Sequence, residues 1–281
     1  MLSSIRISRG RAPALLAASA ACAAFVAALL SSCGPGVVGH HASLRGIRMY
    51  YEVHGHGPAL LLLHGGTGNG TQFAAQVPAF RQHFRVVVPD LCAQGRTTDR
   101  PGPLSYHAMA EDVVALMDRL QIPKADIMGW SDGGVVGLDL AIHHPGRVEH
   151  LVTFGANSSP DGLNPADVEW NASASAASFG PATRIAYERL APDPAHYEIA
   201  MDKIIAMWRM QPNFTPQQLG SIRAKTLIAA GEHDVVRPEH TAALARAIAG
   251  ARRWIVPGAS HNVILERPVL VSRTVLEFLQ H

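Results

Sequence analysis

Cysteine is scarce in this sequence: among 281 residues there are three, Cys22, Cys33 and Cys92. Two fall within the first 33 positions, so the rest of the chain holds a single thiol, which excludes a disulfide framework and any cysteine-built metal cluster. Cys92 is expected to be a small buried hydrophobe rather than a nucleophile. Charge is sparse as well, at 16% of residues with a formal net charge of +2, and the Lys and Arg residues are scattered rather than gathered into a stripe. No nucleic-acid partner is expected from that distribution. Internal repeats are missing too, and the Ala/Ser stretch at 172–178 is too brief to be low-complexity chain. Against these shortages stands a hydrophobic content of 48%. In a chain of this length it suits one α/β domain of about 250 residues, with room for an inserted subdomain.

At the N-terminus, Arg6, Arg9 and Arg11 precede an uncharged Ala- and Leu-rich stretch at 12–30, the pattern of an export signal. The stretch ends in Leu30-Ser31-Ser32-Cys33, which resembles a bacterial lipobox and implies lipidation of Cys33 and membrane attachment through the N-terminus. Two other readings stay open: an uncleaved anchor, since the apolar run approaches the roughly 20 residues that span a bilayer, and ordinary signal cleavage nearby. Each puts the protein outside the cytoplasm. The expected organisation is an export signal at 1–33, a linker at 34–43, a core at 44–157 and 221–281, and a helical cap at 158–220.

Ile47, Met49, Tyr51 and Val53 alternate with more polar neighbours, as a half-buried strand does. Unalternating apolar runs follow at 60–63, 86–88, 127–128, 151–154, 226–230 and 254–256, the pattern of strands covered on both faces. Helical periodicity lies between them, notably at 106–120, where Met109, Val113, Leu116, Met117 and Leu120 share a face, and a last helix is expected at 269–280. Such alternation implies a mostly parallel sheet with crossover helices. The segment 158–220 breaks the rhythm. It is rich in Ala, Pro and Asn, carries Trp170, Tyr187, Tyr197 and Trp208, and lacks a clear strand, so a mostly helical insertion is expected.

The chemistry centres on MGWSDGG at 128–134, where Gly129, Ser131 and Gly133 form G-x-S-x-G. This is a strand-to-helix turn so sharp that flanking side chains must be nearly absent. A serine hydroxyl is a poor nucleophile at neutral pH and needs a base to take its proton and a third group to orient the base. Both occur downstream of strand-like runs: Asp234 in TLIAAGEHD and His261 in WIVPGASHNVIL. Loops that follow the strands of a parallel sheet collect at its carboxyl edge, so the three residues can converge. Asp161 is the rival for the role of acid. Of the other histidines, His64 is expected to shape its loop, and His54, His56, His143 and His144 to be solvated turn or helix-end residues.

The chain order Ser, Asp, His, with HGGTGN at 64–69 after a strand, resembles the α/β-hydrolase family. The resemblance covers about residues 44–279, the insertion excepted, where only general cap character is similar. It implies the α/β-hydrolase fold, with a mostly parallel central sheet flanked by helices and a small helical cap, and a catalytic triad of Ser131, Asp234 and His261. It also implies an oxyanion hole built from the backbone N–H of Gly66 or Thr67 together with that of Asp132, one such donor being worth roughly 3 to 4 kcal/mol of barrier. Thr67, Trp130 and Asp132 are candidate substrate contacts. Trp130 belongs alternatively to the core, and Asp132 either caps the helix that begins there or points into the pocket toward a cationic substrate group. GWSDGG, FGAN and GEHD look most like the valacyclovir-hydrolase and biphenyl-hydrolase-like group and related bacterial esterases. One stretch departs from the pattern. Where the family has D-x-R-G-x-G-x-S, this chain reads DLCAQGRT at 90–97, with Cys92 and Ala93 in place of the Arg and first Gly.

The expected protein is therefore an exported serine hydrolase that cleaves a small-molecule carboxylic ester through an acyl-enzyme, with no metal or organic cofactor. Lactone, amide and C–C bond hydrolysis share the fold and triad and remain alternatives. Epoxide hydrolysis and dehalogenation are disfavoured, because those relatives place an aspartate where Ser131 stands. From another class, a non-catalytic, lipid-anchored binding protein would keep the fold without turnover, and the intact Ser, Asp and His argue against it.

Overall fold

A computed structural model describes residues 39–280; the stretch 1–33 expected to be an export signal, with Cys33, lies outside the described residues. Eight strands, β1 (His40–Leu44), β2 (Ile47–His54), β3 (Ala59–Leu63), β4 (Arg85–Pro89), β5 (Ala125–Trp130), β6 (Val148–Phe154), β7 (Lys225–His233) and β8 (Arg252–Ser260), form one sheet. Their spatial order is β1-β2-β4-β3-β5-β6-β7-β8. β2 pairs antiparallel with β1 and with β4, and every other neighbouring pair is parallel.

The apolar runs fold as strands because successive residues find cover on opposite faces. In β3, Leu60 and Leu62 enter one core cluster and Leu61 and Leu63 the other, and all four are fully buried. The same division separates Val86 and Val88 from Val87 in β4, and Met128 from Ile127 in β5. Each such leucine contributes about 1.5–3 kcal/mol relative to leaving it in water. On one face α2 (Tyr106–Arg119) and α3 (Asp132–His143) supply Met109, Val113, Leu116, Val135 and Leu138; on the other, α1 (Val77–Phe80) supplies Phe80. α2 begins where the Ser105 hydroxyl accepts the Ala108 N–H at 3.1 Å, a side-chain cap. It matches the periodicity at 106–120 to within a residue.

β1 begins within the stretch expected as linker, 34–43, and ends at Leu44, the first residue of the expected core. It joins β2 through Arg45 and Gly46, whose φ angles are +48° and +85°, the handedness a two-residue hairpin turn needs. Five residues with only Ala42 and Leu44 buried leave too little periodicity to read.

Between β6 and β7 the chain forms helices and no strand: α4 (Pro165–Ser173), α5 (Pro181–Glu188), α6 (Tyr197–Met210) and the short α7 (Pro216–Gly220). This cap is tied to the body by Asp99, in the loop before α2, which receives Lys203 of α6 at 2.5 and 2.6 Å and His196 at 2.9 Å. α8 (Pro238–Ala247), α9 (Val263–Glu266) and α10 (Pro268–Leu279) complete the chain, and α10 buries Val271, Val275 and Phe278 close to the span expected at 269–280. No helix among the described residues is long and apolar enough to cross a membrane.

Candidate active site

Ser131 sits between the end of β5 and the start of α3 with φ +54° and ψ −120°, a backbone conformation that L residues rarely hold. The two flanking glycines are required by contact. A Cβ on Gly129 would overlap the carbonyl of Gly133, and one on Gly133 would overlap the carbonyl of Leu63. The turn thus projects the serine from the carboxyl edge of the sheet, next to the loops that follow β7 and β8.

Those loops bring the other two residues. His261 Nε2 lies 3.0 Å from Ser131 Oγ, and His261 Nδ1 lies 2.7 Å from Asp234 Oδ1. Asp234 is itself held: Oδ1 accepts the Val236 N–H at 3.0 Å and Oδ2 the Gly231 N–H at 3.3 Å. Burial alone would lower the pKa of His261, but the charge of Asp234 and its hydrogen bond, joined by Asp132 and Asp167, reverse that and hold it above the ordinary 6.5. Asp161, the rival acid, is exposed and accepts from the Ser159 hydroxyl instead.

His64 is fully buried; its Nε2 accepts the Leu91 N–H at 2.8 Å while Nδ1 lies 2.8 Å from the Gly65 carbonyl. Both nitrogens are spent on shaping the turn that carries Gly66, and burial pushes its pKa down. Gly66 packs against Asp132 so closely that a Cβ there would stand 2.5 Å from Asp132 Oδ2. Asp132 opens α3, so its N–H has no acceptor within the helix and is available to an anion at Ser131.

The three candidate substrate contacts divide: Trp130 and Thr67 lie off the cavity, and Asp132 lines it. Trp130 is buried, and its indole N–H donates to the His261 carbonyl at 2.8 Å, so it steadies the His261 loop rather than lining the cavity. Thr67, with φ +59°, belongs to the turn and is not among the cavity walls. Asp132 makes no side-chain cap. Its carboxylate points into the site, where Oδ1 accepts from Tyr106 OH at 2.8 Å and both oxygens accept from Trp208 Nε1 at 2.9 Å. Burial raises its pKa against the pull of those donors.

The departure at 90–97 is accommodated locally. Ala93 adopts φ +64° in the place of a glycine, and Arg96, four positions after Cys92, bonds Asp90 at 2.7 Å and Glu52 at 3.0 Å. Cys92 is buried, and that burial pushes its thiol up to about 11.

A cavity of about 50 Å³ opens over Ser131 and His261, closed on the cap side by Asn171 and Trp208 and on the body side by Tyr106 and Gly155. Sequence reasoning did not single out Tyr106, Gly155 or Asn171. Gly155 carries the one available signal, a glycine just after a strand in FGAN. Its φ is +60°, and a Cβ there would stand 2.7 Å from the His261 ring. Asn171 Oδ1 is buried without a hydrogen-bond partner, and no pattern in the sequence marks it.

A family model described as the alpha/beta hydrolase fold matches residues 58–180. The chain is 29% identical to RutD of Caulobacter sp. (strain K31), provisionally named a carbamate hydrolase, over 82% of this chain and 95% of that protein. It is 29% identical to the serine hydrolase BPHL of Mus musculus over 88% of each chain. The crystal structure of the enol-lactonase from Burkholderia xenovorans LB400 is similar at a TM-score of 0.71 and 26% identity, covering 86% of this chain and 100% of that one.

Proposed function

The chain is an α/β-hydrolase-fold enzyme of the carbamate, ester and lactone hydrolase type, and from that premise we propose that it cleaves a small carboxylic ester through an acyl-enzyme on Ser131. Ser131 Oγ attacks the ester carbonyl as its proton passes to His261 Nε2. Asp234 holds the Nδ1–H of the imidazole and stabilises the imidazolium that forms. Negative charge on the carbonyl oxygen is received by the backbone N–H groups of Gly66 and Asp132. His261 then gives its proton to the departing alcohol, leaving the acyl group on Ser131. Water then attacks the acyl carbonyl as its proton passes to His261 Nε2, and the acid leaves as that proton returns to Ser131 Oγ.

The observation that carries this reading is the unbroken line of contacts from Ser131 Oγ through the imidazole to Asp234, at 3.0 and 2.7 Å. The small cavity favours a compact acyl group. A lactone is the second reading, favoured by the similarity to an enol-lactonase; it differs only in that the leaving alcohol stays tethered to the acyl group.

Labelling of the purified protein with a fluorophosphonate tests the nucleophile: rapid modification at Ser131, lost in Ser131→Ala, is expected. Absence of labelling in a folded sample would sink the mechanism and favour a binding protein. A panel of short-chain esters, lactones and carbamates on the same sample then ranks the substrate classes by kcat/KM, with short-chain esters expected first.

A further inference from the structure

Ser131 stands at one end of α3, and a different cluster stands at the other. His143 is the last residue of that helix, Asp139 lies one turn earlier, and His107 reaches them from the first turn of α2. His107 Nδ1 is 2.9 Å and His143 Nδ1 3.1 Å from the same carboxylate oxygen, Asp139 Oδ1. The two imidazole centroids are 4.6 Å apart, and one ligand atom from each of the three residues falls within 4.8 Å of the others. We propose that His107, Asp139 and His143 bind a divalent transition-metal ion, zinc above all, with solvent completing its coordination.

The donor set selects the class of ion. Two imidazoles and one carboxylate suit zinc, cobalt and nickel, whereas calcium and magnesium take oxygen ligands throughout. The spacing is close to what zinc needs, since bonds of about 2.0–2.1 Å in a tetrahedron hold the ligand atoms about 3.3 Å apart. Two of the three separations lie within a few tenths of an ångström of that. Rotation of exposed imidazoles supplies the difference: the side chains of His107 and His143 are 54% and 37% exposed, while that of Asp139 is 5% exposed. A buried carboxylate fixed by two packed helices thus faces two adjustable rings and open solvent.

Electrostatics point the same way. The carboxyl end of a helix carries the negative pole of its backbone dipole, which favours a cation beside His143. Arg45, the nearby positive side chain, is already engaged by Asp112 at 3.3 Å and by Glu111 at 3.9 Å, and Glu111 also meets His144 at 2.5 Å. At 1.5 Å per residue the twelve residues of α3 span about 18 Å. The ion would therefore tie α2 to α3 without touching the reacting atoms at Ser131.

Isothermal titration of the untagged protein with zinc chloride, in a buffer that does not coordinate metals, tests the site. One equivalent binding in the low micromolar range is expected, with affinity reduced about 10-fold or more in His107→Ala and in His143→Ala. Both residues are exposed, so these variants should fold, which circular dichroism checks. Cobalt(II) should give visible d–d absorption with the wild-type protein that weakens in the same two variants. Binding that fails to saturate at millimolar zinc would overturn the proposal. So would variants that bind as tightly as wild type, because the ion would then sit on other histidines.

Discussion

At Gly155 the backbone passes under the His261 ring with φ +60°, so a methyl group there strains the chain and presses on the imidazole at once. Gly155→Ala is expected to cost about 1–2 kcal/mol of stability and to lower kcat about 10-fold or more while KM changes little, because the base is displaced from Ser131. Thermal melts and steady-state kinetics on one preparation check both. Ser131→Ala and His261→Ala should each lower kcat by several orders of magnitude, with circular dichroism unchanged, since the trio acts as a unit. Protonation gives an independent reading of His261. It accepts a proton only when neutral, so activity should be low in acid and rise with pH through a midpoint above 6.5, the direction set by Asp234. Asp234→Asn removes the charge that raises the pKa and leaves the burial that lowers it. Its acid limb should therefore move to lower pH even as kcat falls, and rate profiles from pH 5 to 9 would reveal a limb that stays put.

Among the elements, α6 joins the cap to the body twice: through Lys203 at Asp99 and through Trp208 at Asp132. Lys203 and His196 hold the Asp99 carboxyl below its ordinary pKa in spite of its burial. Lys203→Met leaves that carboxylate with the His196 ring and the Arg100 N–H but without its ammonium partner, and a loss of about 1–3 kcal/mol of stability is expected. KM should rise more than kcat falls, because the cap forms one wall of the cavity and Lys203 touches none of the reacting groups. A melt indistinguishable from wild type would show that the cap is seated by Trp208 and packing alone. The central strands of the sheet were legible in the sequence because Leu60–Leu63 and Val86–Val88 are apolar on both faces and bounded by turn residues. The cap was legible only as helical. Which face of an amphipathic helix meets the sheet is decided by docking, so Asn171 and Trp208 could not be told from their neighbours as cavity walls.

Across the whole molecule, residues 131, 234 and 261 meet because three parallel strands deliver them to one edge, and that convergence followed from chain order and loop position. The roles of Trp130 and Thr67 did not follow, since adjacency in sequence to Ser131 or Gly66 does not fix the direction of a side chain. His143 was readable as a helix-end residue, but its meeting with His107 depends on how α2 lies against α3. The long-range assembly of the trio makes hydrolysis a gauge of the entire fold. Loss of activity in denaturant is expected to coincide with loss of circular dichroism, and inactivation at lower denaturant would reveal a cap that unfolds first. A chain interrupted between residues 134 and 261 would carry Ser131 and its turn but lack His261, the base of the proposed mechanism. During synthesis on the ribosome the enzyme is therefore inert for most of its length. On the proposed mechanism its chemistry switches on only when β8 takes its place beside β7, so a nascent or clipped copy would leave the hydrolysable molecules around it untouched.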